Sequence, residues 1–302
     1  MEPPSTFNRA IRKRTRRRAV AKLRRQDTSP GLLPLDEVSR RLRMFEQTYV
    51  GIRTIPVARV VGTVDRSHDF DRDFLPRRRE IGARWRSVER RFSEGDFPPI
   101  EVYEIDGRYF LIDGHHRVAI ARQRGIEHID AEVTRLRTRY PLPPEADIAR
   151  IVHTEQEMVF LDESGLGRAC PEAGITFSRP NGYVELLEQV KVHGYHLMQE
   201  RGEVVPRQDV AADWYDRVYL PGVEAFRREG LPELFPEATE GDLFLWIQQR
   251  RRLMFPERGD TPFHEAAHVL ATSEAAHHPS RRARRGLTRL RSKGGHDDHP
   301  PS

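Results

Sequence analysis

The sequence predicts an α+β chain, in which a mixed α/β domain is followed by an all-helical domain and both ends are basic arms. Three observations lead there. Short β-branched runs alternate with amphipathic helical periods over about residues 55–133; the apolar pattern turns wholly helical after the proline-rich joint at 141–144; and charge is segregated toward the ends. Of 302 residues, 37% are hydrophobic and 32% charged, more charge than the ~25% of an ordinary globular chain. Residues 1–25 carry a balance of +9 and residues 279–302 a balance of +5 within a total of +5, so the body between them is acidic, at −9. Like charges at this density repel and bury nothing, so 1–28 and 258–302 are expected to be disordered basic arms. In the first arm, Arg12, Lys13, Arg14, Arg16, Arg17 and Arg18 are the candidates for contact with a nucleic-acid backbone.

The elements follow in order. Residues 35–45 read as a helix with Val38, Leu42 and Phe45 on one face, and 55–64 (IPVARVVGTV) as a strand. Across 78–94, Ile81, Trp85, Val88 and Phe92 recur with helical spacing. IEVYEI and RYFLI flank Asp106-Gly107, the pair that a tight type I′ hairpin turn prefers because both central residues need positive φ. Asp113-Gly114 then turns the chain into a helix over 115–124, which Gly125 closes, and 129–133 forms a last strand. The first domain spans 32–140 and the helical one 145–257, with helices near 146–162, 182–200, 207–229 and 240–254. Pro221 is expected to kink or restart the third of these, and Thr239 with Asp242 to cap the fourth.

Chemistry concentrates in the run Asp113-Gly114-His115-His116-Arg117. A glycine at a helix mouth leaves the first amides pointing outward, a natural anion site, and an arginine one turn in can pair with a phosphate through two parallel hydrogen bonds. Asp113 is the candidate metal-holding acid, and His115 and His116 are the candidate acid/base groups, of which one is expected to face the pocket and the other to pack beside the helix. The single cysteine, Cys170, excludes thiolate zinc clusters and internal disulfides, and no window is apolar enough for a membrane span or a secretory leader, so the expectation is a cytoplasmic protein. His264-Glu265-Ala266-Ala267-His268 has the H-E-x-x-H form of zinc proteases, and His277, His278 or Glu274 could follow as a third ligand, but no walled cleft is legible around them, and it reads as a chance match.

The run PPIEVYEIDGRYFLIDGHHRVAIARQRGIEHIDAEVT resembles the N-terminal, nuclease-like domain of the ParB/sulfiredoxin superfamily, over about residues 55–136. The resemblance implies a G-x-x-R phosphate box at Gly114, His115, His116 and Arg117, with Arg66 as a further phosphate contact and Asp113 matching the acid of a kinase form of the motif. It implies CTP or ATP with Mg2+ as ligand, and a bacterial ParB-like, DNA-associated, nucleotide-dependent regulator as function. Phosphoryl transfer or triphosphate hydrolysis on a small hydroxylated substrate is the alternative, and a nuclease-like phosphodiesterase the second alternative. Sulfiredoxin chemistry does not carry over, because His115 stands at the nucleophilic cysteine's position. Residues 145–257, through DWYDRVYLPGVEAF and FPEATEGDLFLWI, resemble a helical second domain of ParB-like proteins of unknown function rather than a helix-turn-helix module.

Overall fold

The computed structural model describes residues 6–23, 31–77, 79–94 and 98–277. The chain divides into two compact units, Met1–Glu155 and Gln156–Ser302.

The first unit is built on a six-stranded mixed sheet. Its strands are β1 (Leu33–Pro34), β2 (Met44–Pro56), β3 (Val60–Thr63), β4 (Ile100–Ile105), β5 (Arg108–Asp113) and β6 (His128–Thr138), in the order β1-β3-β5-β4-β6-β2. β1, β3 and β5 run parallel, β4 pairs antiparallel with β5 and parallel with β6, and β6 pairs antiparallel with β2. The β4–β5 turn has φ +48 at Asp106 and +71 at Gly107, the double positive φ that its sequence predicts. The helices are α1 (Thr6–Leu23), α2 (Leu35–Arg41), α3 (Gly82–Glu94) and α4 (His115–Arg124). Trp85 of α3, Val118 and Ile120 of α4, Ile100, Val102 and Leu111 of the sheet, and Phe70 and Phe74 of the 64–77 loop form one buried core. That loop is held from within. The Asp71 carboxylate, 1% exposed, accepts the backbone N–H groups of Asp73 and Leu75, and burial pushes its carboxyl above the ordinary value.

Several sequence expectations need correction. Helix α2 stops at Arg41, Arg43 turns through φ +54, and Phe45, expected inward, lies 66% exposed in β2. Pro56 ends β2, and a 3-10 turn over Val57–Arg59 separates it from β3, so 55–64 is two strands rather than one. The arm expected over 1–28 contains α1, whose Phe7 and Ala10 are buried. Phe7, Ala10, Ile11 and Arg14 fall on one side of that helix, and burial of this narrow stripe outweighs the repulsion among the cations on its other faces. Thr6 donates to the Glu89 carboxylate and accepts from Trp85 Nε1, fastening α1 to α3. The arm's residues 1–5 and 24–28 lie outside the described residues.

The second unit is helical: most of α5 (Ile148–Ser164), then α6 (Leu166–Ala169), α7 (Asn181–Arg201), α8 (Arg207–Trp214), α9 (Leu220–Arg228), α10 (Leu231–Leu234), α11 (Glu240–Arg258) and α12 (Phe263–His277). Trp214, Phe226 and Phe244 are fully buried at its centre. The third expected helix is interrupted by a π-helical turn over Tyr215–Tyr219, one turn before Pro221. The proline has no N–H to donate, and its ring crowds the carbonyl four residues back, so the ladder widens where Pro221 requires it. Thr239 and Asp242 exchange both hydrogen bonds of a capping box at the start of α11. The tail expected from 258 instead continues as α12, which buries Ala266, Ala267, Leu270 and Ala271 in this core; residues 278–302 lie outside the described residues. His264 and His268 stand apart from that buried side of α12, His268 bonded to Glu229 and Glu265 paired with Arg258. Among the described residues no group of three potential ligands could hold a metal, and no helix is long and apolar enough to cross a membrane.

Candidate functional site

The junction of β5 and α4 is sterically exacting. Gly114 has φ +103, and a Cβ built there would lie 2.4 Å from Ile100 Cγ2, so glycine is required by conformation and by space. As N-cap it offers no side chain to the first turn, and among the described residues no side chain caps α4. The amides at its mouth therefore remain available to an anion, with the helix dipole behind them.

His115 and His116 open this helix, and both are buried, 4% and 7% exposed. His115 Nε2 lies 2.7 Å from the Thr63 hydroxyl, and its ring stacks on Phe70. His116 meets Phe70 and Trp85 edge-on, and its buried Nδ1 has no hydrogen-bond partner among the described residues. Burial, reinforced by Arg66, pushes the His115 imidazole down to about 4; burial, then Arg84 and Arg66, pushes His116 down to about 4. Both rings are thus neutral at pH 7. The expectation that only one would face the pocket is corrected: both line it, and both rings also pack against Phe70.

Neutral burial has a consequence for stability. The folded-state pKa values lie below the ordinary value of about 6.5, so the unfolded chain binds more protons between pH 6.5 and 4. The contribution of these histidines is fully present above pH 6.5 and is lost as pH falls toward 4, on the order of 3 kcal/mol for each ring. Urea unfolding of His115→Gln/His116→Gln should show a shallower pH dependence across this window than the parent protein. Parallel curves would contradict the assignment.

Arg117 is 13% exposed and donates to the Pro98 and Pro99 carbonyls and, at 2.6 Å, to Asp113. Burial works against the Asp113 carboxylate, but the Gly114 N–H and the Arg117 guanidinium outweigh it and hold its carboxyl below the ordinary value. In this arrangement Asp113 is engaged by Arg117 before any cation arrives.

These groups surround a cavity of about 260 Å³, lined by Arg66, Arg84, Val88, Arg91, Pro98 and the whole run from Asp113 to Arg117. Residues 48 positions apart in sequence, Arg66 and Gly114, converge here, as do every other phosphate-site and catalytic candidate of the sequence. Arg84 and Arg91 were not expected. They lie seven residues apart on α3, so two helical turns bring them onto one line, yet in sequence they read as part of a solvated helix face. A larger cavity of about 1180 Å³ lies in the second unit between α7 and α11, but its rim mixes Glu185 and Glu188 with Arg251 and Arg252. The smaller one sets four arginines against one carboxylate, an excess of positive charge.

Of the six basic candidates near the N-terminus, Arg12, Lys13 and Arg16 are exposed on α1. Arg14 is turned inward onto the Pro76 and Arg77 carbonyls, and Arg17 pairs with Asp73. Arg18 belongs to α1, but its side chain lies outside the described ones. No protein-family model matches the chain, and no curated protein is similar to it in sequence.

Proposed function

We propose that the first unit is a phosphate-binding domain of the ParB/sulfiredoxin type that takes a nucleoside triphosphate, CTP or ATP, with Mg2+, and that the protein is a nucleotide-dependent regulator associated with nucleic acid. One observation carries the reading: Arg66, Arg84, Arg91 and Arg117 surround the uncapped end of α4 in a single cavity. Its volume of about 260 Å³ lies just below the ~300–1,000 Å³ of sites that enclose whole small molecules, so it suits the phosphates, with the nucleoside reaching outward. When bound, Mg2+ would offset phosphate charge, and Asp113, the carboxylate in the cavity lining, is the residue that would hold it once released from Arg117.

Phosphoryl transfer is the second reading, favoured by His116. His116 is a neutral imidazole on the cavity wall and would take a proton from an attacking hydroxyl, while the arginines stabilise charge on the transferred group.

The nucleic-acid half rests on α1. Deleting the N-terminus would also strip Phe7 from the core, so the informative variant is Arg12→Gln/Lys13→Gln/Arg16→Gln, which leaves the buried side of the helix intact. Its affinity for DNA should fall and the slope of log affinity against log salt should flatten by about 2 to 3, since each phosphate no longer neutralised by the protein reduces the slope by ~0.7 on a single strand and ~0.9 on a duplex. Binding of Mg2+-CTP or Mg2+-ATP should be retained. Unchanged DNA affinity and slope would remove α1 from the nucleic-acid reading, and failure of all four ribonucleoside triphosphates to bind would remove the nucleotide.

A further inference from the structure

Helix α3 presents basic groups on two lines. Arg84 and Arg91 line the cavity. Arg86 and Arg90, four residues apart and both exposed, share a second line one flank over, and among the described side chains Ala83 and Ser87, also exposed, lie on the ridge between the two. Trp85 and Glu89 fall on the opposite side, where Trp85 is buried and Glu89 is bonded by Thr6. Among the described side chains of α3, the exposed ridge therefore carries arginines and small residues, with Glu89 turned away.

This ridge meets α1. Phe7 packs edge-on against Trp85 at 5.7 Å, and a Cβ built at Gly82 would touch Phe7 at 2.9 Å and the Arg86 guanidinium at 3.5 Å. Arg86 thus stands at the junction of the two helices. From there α1 continues with Arg9, Arg12, Lys13 and Arg16 exposed. The neighbouring carboxylates Asp73 and Asp113 are taken up by Arg17 and Arg117.

We infer that α1 and the α3 ridge form one continuous track for the phosphate backbone of single-stranded nucleic acid, and that the track ends with a backbone phosphate in the Arg84–Arg91 cavity, so that nucleic acid and nucleoside triphosphate exclude one another. The inference rests on the reading of the cavity as a phosphate site. It adds the path of the strand, assigns Arg86 and Arg90 to it, and makes triphosphate a competitor that displaces the strand end. A line of guanidinium groups leading into a cavity that accepts phosphate favours a polymer of phosphates over a lone ligand.

The test uses the full chain and a fluorescein-labelled oligodeoxynucleotide of about 20 nucleotides, longer than the ~4–16 that one small domain covers. DNA affinity is measured by anisotropy across a salt series, with and without saturating Mg2+-triphosphate at constant ionic strength, and triphosphate affinity is measured separately by calorimetry. Saturating triphosphate should weaken DNA binding about tenfold or more. Arg86→Gln/Arg90→Gln should weaken DNA binding and flatten the salt slope by about 1.4, the ~0.7 per single-strand phosphate for two phosphates, while leaving triphosphate affinity unchanged. Triphosphate that binds but leaves DNA affinity unmoved overturns the exclusion while the nucleotide reading stands. A protein that binds no triphosphate overturns both. A double variant with wild-type circular dichroism, DNA affinity and salt slope removes the α3 track.

Discussion

Gly114→Ala is expected to destabilise the first unit by about 3 kcal/mol or more, because two costs fall on one atom. A non-glycine residue held at positive φ costs ~1–3 kcal/mol, and forcing a methyl group into a packed core costs a further ~1–3 kcal/mol. At Gly114 the backbone sits at φ +103, and the added Cβ would lie 2.4 Å from Ile100 Cγ2 and 2.8 Å from Ile100 Cβ. Ile100 is fully buried in β4, so it has no space into which to retreat. Gly125, at the other end of α4, provides the control: φ is +72, but nothing lies within 4 Å of its Cβ position. Gly125→Ala should therefore cost only the backbone share, about 1 kcal/mol. In thermal unfolding followed by circular dichroism, the first variant should lose roughly 6–12 °C and the second about a third of that, at ~2–4 °C per kcal/mol. Equal losses would mean that close packing at the β5–α4 turn is not what selects its glycine.

Arg84→Gln/Arg91→Gln should lower triphosphate affinity by about 10²–10⁴-fold, the largest functional effect expected of any change outside the Gly114–Arg117 turn. A hydrogen bond between charged groups contributes ~1.5–3 kcal/mol, so removing two such bonds costs ~3–6 kcal/mol. Unlike Arg117, which braces Pro98 and Pro99, neither residue bonds a backbone carbonyl among the described residues, and both stand exposed on α3. Glutamine keeps the helix propensity and much of the side-chain length, so stability should hold within about 0.5 kcal/mol. Calorimetric titration with Mg2+-CTP and Mg2+-ATP reads the effect. An affinity within threefold of the parent's would separate the arginine cluster from ligand binding.

How much of this was legible in the sequence varies with the physics of each element. The hairpin and both ends of α4 could be read residue by residue, because Asp106-Gly107, Gly114 and Gly125 answer local conformational demands that no distant contact overrides. The phosphate candidates were legible too: Arg66 and the run from Asp113 to Arg117 meet in one cavity. β2 was not legible, since its stability comes from antiparallel pairing with β6 along its length, while its own side chains, Phe45, Tyr49 and Ile52 among them, are exposed and show no inward alternation. α1 and α12 were hidden for a different reason. A stripe as narrow as Phe7, Ala10 and Ile11, or one made of alanines like Ala266, Ala267 and Ala271, is masked in composition by the charges and polar groups around it. Arg84 and Arg91 were missed because charge on an amphipathic helix normally faces water, and only the tertiary position of α3 beside α4 turns these two toward the cavity.

The central claim is that phosphate binds at the open end of α4, and backbone amide NMR reports on that end directly. With 15N-labelled protein and Mg2+-triphosphate added to saturation, the amides of Gly114, His115, His116 and Arg117 should show the largest shift changes in the chain, downfield as they take up hydrogen bonds to a charged acceptor. The Arg84 and Arg91 amides of α3 should follow with smaller changes, and those of α7 and α11 around the larger cavity should not move. Saturable binding with the Gly114–Arg117 amides unmoved, and the largest changes elsewhere, would contradict the account.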